Sequence, residues 1–147
     1  MKSLVFFLIL VAVSTVPACW AASKIVVLYP VGSKSHLIAV MPIVEELAHR
    51  GHGITLVTSF KVPIGESIRM IYLDELAARM EAFSPDWFGM SKQGPAQIFT
   101  MISHLRSMLL DGYELLMANT EFKSLIESKD IDLFIVDAMF TDFIFPV

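Results

Sequence analysis

The stretch from Lys24 to Thr58 limits the possible folds more than any other part of the chain. Lys24-Ile25-Val26-Val27-Leu28-Tyr29-Pro30 is a short, β-branched apolar run closed by proline, the pattern of a buried strand. Val31 to Ser35 is rich in turn formers. From about Leu37 to Arg50, Val40, Met41, Val44, Leu47 and Ala48 recur at helical spacing, with Glu45, Glu46, His49 and Arg50 on the solvent side. That is an amphipathic helix. Pro42 has no amide proton to donate and is tolerated near a first turn, so the regular helix is expected to start near Ala39. Gly51 suits the helix end. Ile54-Thr55-Leu56-Val57-Thr58 reads as a second strand. Strand, helix and strand so closely spaced form a βαβ unit, which implies a parallel sheet. An antiparallel α+β arrangement is the alternative.

The rest of the chain continues the theme. Ser67 to Asp74 alternates well enough for a third strand. Ser84-Pro85-Asp86 and Gly94-Pro95 bracket a loop. Gln97 to Ala118 carries Ile98, Met101, Ile102, Leu105, Met108, Leu109, Leu115 and Leu116 on one stripe, a long helix with a bend expected near Gly112. A shorter helix is expected over Thr120 to Ser128, with Thr120 as its N-cap. Asp132-Leu133-Phe134-Ile135-Val136-Asp137 reads as a buried strand ending in a carboxylate. A further element begins at Thr141 and stops inside an apolar run at Val147, so the chain reads as part of a longer protein.

The first residues read as a targeting signal. Lys2 supplies a positive start, Leu4 to Val13 is unbroken apolar sequence, and Cys19 and Ala21 place small residues for cleavage after Ala21. The apolar run is short for a membrane span, which needs about 20 residues; a signal anchor or a buried core helix are the alternatives. The expectation is a signal peptide over residues 1–21, a secretory route, and one folded domain over 22–147. The formal net charge is −4 and no run of five basic residues exists, so nucleic acid is not an expected partner. The single cysteine, Cys19, lies in the signal region, leaving no disulfide or thiolate metal site beyond it. Zinc-protease, serine-hydrolase and P-loop motifs are missing, and Gly32 is a lone loop glycine.

Two residues stand apart from the core pattern. His36 follows the first strand at the approach to the first helix, and ligands of parallel α/β sheets gather at the carboxyl ends of strands. An imidazole there can serve as a general base; from position alone, a capping or surface role is the simpler reading. Asp137 ends its strand. If that strand lies beside the first, its carboxylate could reach toward His36 and fix the tautomer of the ring. Taken alone it reads as a helix N-cap or a solvated acid. His49 and His52 read as surface residues. His104 reads as structural, or at most as part of a pocket. Asp142 stands in an incomplete element. The Met and Phe residues of Phe83 to Phe99 read as core or loop packing, with an apolar pocket as the alternative.

Together these segments resemble the animal UDP-glycosyltransferases, arthropod members in particular. The resemblance runs through Ser35-His36, Glu45-Glu46-Leu47-Ala48, Arg50-Gly51-His52 leading into Ile54-Thr55, and Asp132-Leu133-Phe134-Ile135-Val136-Asp137-Ala138. It is loose over about Lys61 to Asn119. It implies the GT-B arrangement of two Rossmann-like domains, with this chain a part of the first, acceptor-binding one. It implies His36 as catalytic base and Asp137 as the group that orients it. It implies a UDP-sugar co-substrate (UDP-glucose or UDP-glucuronate), no prosthetic group or metal, and a small lipophilic acceptor. Association with other UDP-glycosyltransferase chains is a further implication. So is residence in the endoplasmic reticulum lumen, with membrane anchoring by a C-terminal helix. The family's donor-binding domain, with its His-Cys-Gly and Asp-Gln pairs, is not in this sequence, and Gly53 stands where the family has an acidic or polar residue. The competing reading is a non-catalytic module that binds lipophilic ligands or associates with full-length enzymes.

Overall fold

A computed structural model describes residues 21–82 and 95–137. The elements run in the order β1 (Lys24–Tyr29), α1 (Lys34–His49), β2 (Gly53–Thr58), β3 (Ile68–Tyr72), α2 (Asp74–Ala82), α3 (Pro95–Ala118), α4 (Thr120–Glu127) and β4 (Leu133–Val136). The four strands pair in parallel as one sheet, in the order β3-β2-β1-β4. The chain is therefore α/β with a parallel sheet, as the Lys24–Thr58 pattern implies, and is consistent with a Rossmann-like fold. Residues 1–20 of the signal peptide expected over 1–21, residues 83–94 of the expected loop, and 138–147 with Asp142 lie outside the described residues.

The sheet is covered on both faces. On one, Ile25, Val27 and Tyr29 of β1 and Ile54 and Leu56 of β2 pack against Leu37, Met41, Val44 and Ala48 of α1. On the other, Val26, Leu28, Val57 and Ile71 pack against Leu76 of α2, Leu109 and Leu116 of α3, and Phe122 of α4. Successive β1 residues point to opposite faces and both are dry, which is why its sequence shows no polar alternation. Burying each such aliphatic side chain stabilises the fold by about 1.5–3 kcal/mol. The connection from β2 to β3 contains no helix. Phe60, Val62 and Ile64 of that crossover join the α1 face and cover what a helix would otherwise cover.

Several boundaries differ from expectation. α1 starts at Lys34, five residues before Ala39, because Ser33 caps it. Pro42 thus stands well inside the helix. It removes the amide that would bond the Ile38 carbonyl, but Ile38 and Pro42 both face solvent, where water can serve that carbonyl. β3 ends at Tyr72, and Asp74, expected in the strand, opens α2. α2 itself was not legible as an element. The cap of α4 is Asn119, whose Oδ1 accepts from Phe122 N at 2.9 Å, and the expected cap Thr120 is the first helical residue. α3 runs unbroken through Gly112. Leu109 and Leu116 of its stripe are buried, but Ile102 is 52% exposed. The side chains of Ile98 and Met101 lie outside the described ones.

β4 carries the largest correction. Its run Leu133-Phe134-Ile135-Val136 reads as a buried strand, yet among the described residues it stands at the edge of the sheet, with Leu133, Phe134 and Val136 exposed. Only β1 flanks it among the described residues. Among those residues no helix is long and apolar enough to cross a membrane.

Candidate functional site at the carboxyl ends of β1 and β4

The site begins where β1 stops. After Tyr29 and Pro30 the chain must turn sharply into α1, and Gly32 makes the turn at φ +136°, a conformation that side chains with a Cβ rarely adopt. A Cβ at Gly32 would also lie 2.8 Å from the Tyr29 hydroxyl, so the turn folds directly over that ring. Ser33 then caps α1. Its Oγ accepts from His36 N at 3.3 Å, its carbonyl accepts from His36 N at 3.1 Å, and its hydroxyl is 3.0 Å from that of Ser35. This anchors the His36 backbone in the first turn and leaves the imidazole exposed.

The second half arrives from far along the chain. Asp132 N donates to the Lys24 carbonyl at 2.9 Å, Lys24 N donates to Asp132 Oδ2 at 2.7 Å, and Lys24 Nζ pairs with Asp130. These contacts pin the start of β4 to the start of β1. The register then runs Ile25 to Leu133, Val26 to Phe134, Val27 to Ile135 and Leu28 to Val136. One step further sets Tyr29 opposite Asp137. Because side chains alternate along a strand, Asp137 shares the face of Ile135, which is the α1 face that also holds Tyr29.

His36 and Asp137 thus line one cavity, of about 480 Å³, with Val27, Tyr29, Ala39, Val40 and Ile135 among its other walls. Among the described residues its surface is mostly apolar, with the imidazole, the carboxylate and the phenol as polar side-chain groups. The third was not anticipated: at the end of an apolar strand, Tyr29 reads as core. Its ring is buried and packs against Phe60 at a centroid distance of 6.1 Å. Burial, followed by the hydrogen bond to Asp137 and the charge of that carboxylate, holds the phenol well above its ordinary range, with the Ser33 backbone pulling weakly the other way.

The other candidates fall elsewhere. His52, expected at the surface, is half-buried, and its Nδ1 accepts from Ser23 N at 3.1 Å. It is a structural residue that fastens the entry to β1 and has no part in the cavity. His49 is exposed on α1. His104 lies on α3 beside Leu76, Arg79 and Asp111, at a separate small cavity. A larger space of about 800 Å³ opens at the opposite, amino ends of the strands. Several of its charged walls are already paired: Lys24 with Asp130, and Arg69 with Glu121 at 3.3 Å. Its exposed, self-compensating charges favour no ligand, so the smaller cavity is the better candidate.

Comparison with family models, with curated proteins and with solved structures finds no match to this chain.

Proposed function

We propose that this chain is the acceptor-binding part of an inverting UDP-sugar glycosyltransferase of the GT-B arrangement, with His36 as the base and Asp137 as its orienting carboxylate. One observation carries the reading: His36 and Asp137, far apart in sequence, border the same apolar cavity at the carboxyl ends of adjacent parallel strands. That is where α/β sheets hold ligands. The motif resemblance around Ser35-His36 and Asp132 to Ala138 supports the same assignment.

In this mechanism a small lipophilic acceptor occupies the cavity, and one ring nitrogen of His36 removes its hydroxyl proton. The oxygen attacks the anomeric carbon of the UDP-sugar. The bond from that carbon to the diphosphate oxygen breaks, and its electron pair leaves with UDP. The configuration inverts because attack and departure occur on opposite faces. The Asp137 carboxylate stabilises the imidazolium as it forms. Donor contacts belong to a second domain that would follow this chain.

The test is transfer from UDP-glucose and UDP-glucuronate to a panel of small phenols, using the longest open reading frame that contains this chain. His36→Ala should lower kcat by about 10²–10⁴-fold. His36 is exposed, so folding should be unaffected. Undiminished transfer by a folded His36→Ala protein would end the proposal. Binding of the phenols without transfer in the wild type would favour a ligand-binding module.

A further inference from the structure

We propose that Tyr29 is a positioning residue for the His36–Asp137 pair, its hydroxyl tying the Asp137 carboxylate to the capping turn that carries His36. The proposal rests on the glycosyltransferase reading for its consequence, but its geometry stands apart from it. Three observations support it.

The first is register. The β1–β4 ladder ends at Leu28 and Val136, so the next residues, Tyr29 and Asp137, leave the sheet side by side, and both line the cavity with His36. The second is the turn. The Tyr29 hydroxyl lies 3.3 Å from the carbonyl of Ser33, the residue whose hydroxyl and carbonyl both accept from His36 N. Tyr29 therefore stands between the carboxylate and the residue that fixes the backbone of the imidazole. The third is confinement. The Phe60 ring packs on Tyr29 from the β2–β3 crossover, and Gly32 closes over the hydroxyl with no room for a Cβ. A side chain so enclosed holds its hydroxyl in one place.

A phenol has a single proton to share between Ser33 and Asp137. The hydroxyl reaches the Ser33 carbonyl at a long 3.3 Å, and the Asp137 carboxyl is its other hydrogen-bond partner. One lone pair of Asp137 is then engaged by Tyr29, which restricts how the carboxylate can turn toward His36. Among the described residues, Asp137 and His36 are the titratable groups that line the cavity with Tyr29, and Phe60, packed on the ring, is uncharged.

The experiment has two independent arms. In the first, the ionisation of Tyr29 is followed by phenolate absorbance in this chain, taking the difference between wild type and Tyr29→Phe. Asp137→Asn should bring the Tyr29 midpoint down toward its ordinary value, since it removes a neighbouring negative charge. An unmoved midpoint would overturn the proposal. In the second arm, kcat and KM are measured in the protein that carries transferase activity. Tyr29→Phe should lower kcat by about ten- to a hundred-fold, the scale of one hydrogen bond to a charged group. KM should change little, and the loss should largely vanish in the Asp137→Asn background. Wild-type kcat in a folded Tyr29→Phe protein, with Asp137→Asn impaired, would also overturn it. If His36→Ala leaves transfer intact, the glycosyltransferase reading fails, while the first arm still decides whether Tyr29 and Asp137 are coupled.

Discussion

Gly112 of α3 lies so close to Val31 that a Cβ there would come within 2.9 Å of the Val31 Cγ2 methyl. The contact sets how near α3 approaches the turn after β1. In an exposed helix, Gly→Ala would stabilise by about 1 kcal/mol. Here Val31 is 1% exposed and β-branched, so its methyl has no room to retreat. Overpacking outweighs propensity, and Gly112→Ala should destabilise by a net of about 1–2 kcal/mol. Urea unfolding measures this. The Val31→Ala, Gly112→Ala pair should cost less than the sum of the single changes.

The cap of α4 gives a second contrast. Asn119→Ala removes the acceptor of the Phe122 amide and should cost about 1 kcal/mol. Thr120→Ala, one residue on, should change stability by no more than a few tenths. Thermal unfolding of the two variants side by side distinguishes them. Equal losses would reassign the cap.

Removing the His52 side chain deprives the Ser23 amide of its acceptor at the entry to β1. His52→Ala should lower stability by about 1 kcal/mol. It should leave transferase kinetics unchanged, whereas His36→Ala should do the reverse. The unfolding midpoint and kcat, measured on both variants, check the distinction.

Tyr29 makes stability fall at alkaline pH. Its folded-state value is raised, first by burial and then by Asp137, above the ordinary tyrosine value of about 10. Below that pH the phenol is neutral in both states and its contribution is complete. As pH rises past the unfolded value, the unfolded chain loses the proton first, so folding is progressively disfavoured. The Tyr29→Phe protein should lose less stability than wild type on going above about pH 10. Unfolding midpoints at neutral and alkaline pH supply the comparison.

The parts legible in the sequence are those where local pattern and packing coincide. β1 and β2 are buried on both faces, and their β-branched runs say so. α1 betrays itself by its apolar spacing, but its start was hidden by Pro42, which is tolerated inside the helix on its exposed side. α2 buries only Leu76, so it leaves almost no periodic trace. Leu133 to Val136 show the opposite failure: the composition fits a buried strand, while among the described residues only β1 flanks it, and a strand's neighbours are set by chain topology that no local run encodes. His36 and Asp137 were singled out because they follow strands. Tyr29 was missed because its role depends on the β1–β4 register, a relation between distant segments.

The same register has a consequence for the order of assembly. The pairing of Lys24 with Asp132 joins residues separated by 108 positions, whereas Ser23 and His52, which lace β1 to β2, are separated by 29. Loop closure favours the short pairing, so the β1–β2 unit can form early and the long pairing must come late. During synthesis the ribosome delivers β1, His36 and Tyr29 well before it delivers Asp137. Until then one flank of β1 stays open as an unpaired edge, the kind of surface that invites wrong partners. The wall of the cavity that carries the carboxylate is therefore built after the wall that carries the imidazole, and a nascent chain halted before Leu133 holds His36 without Asp137.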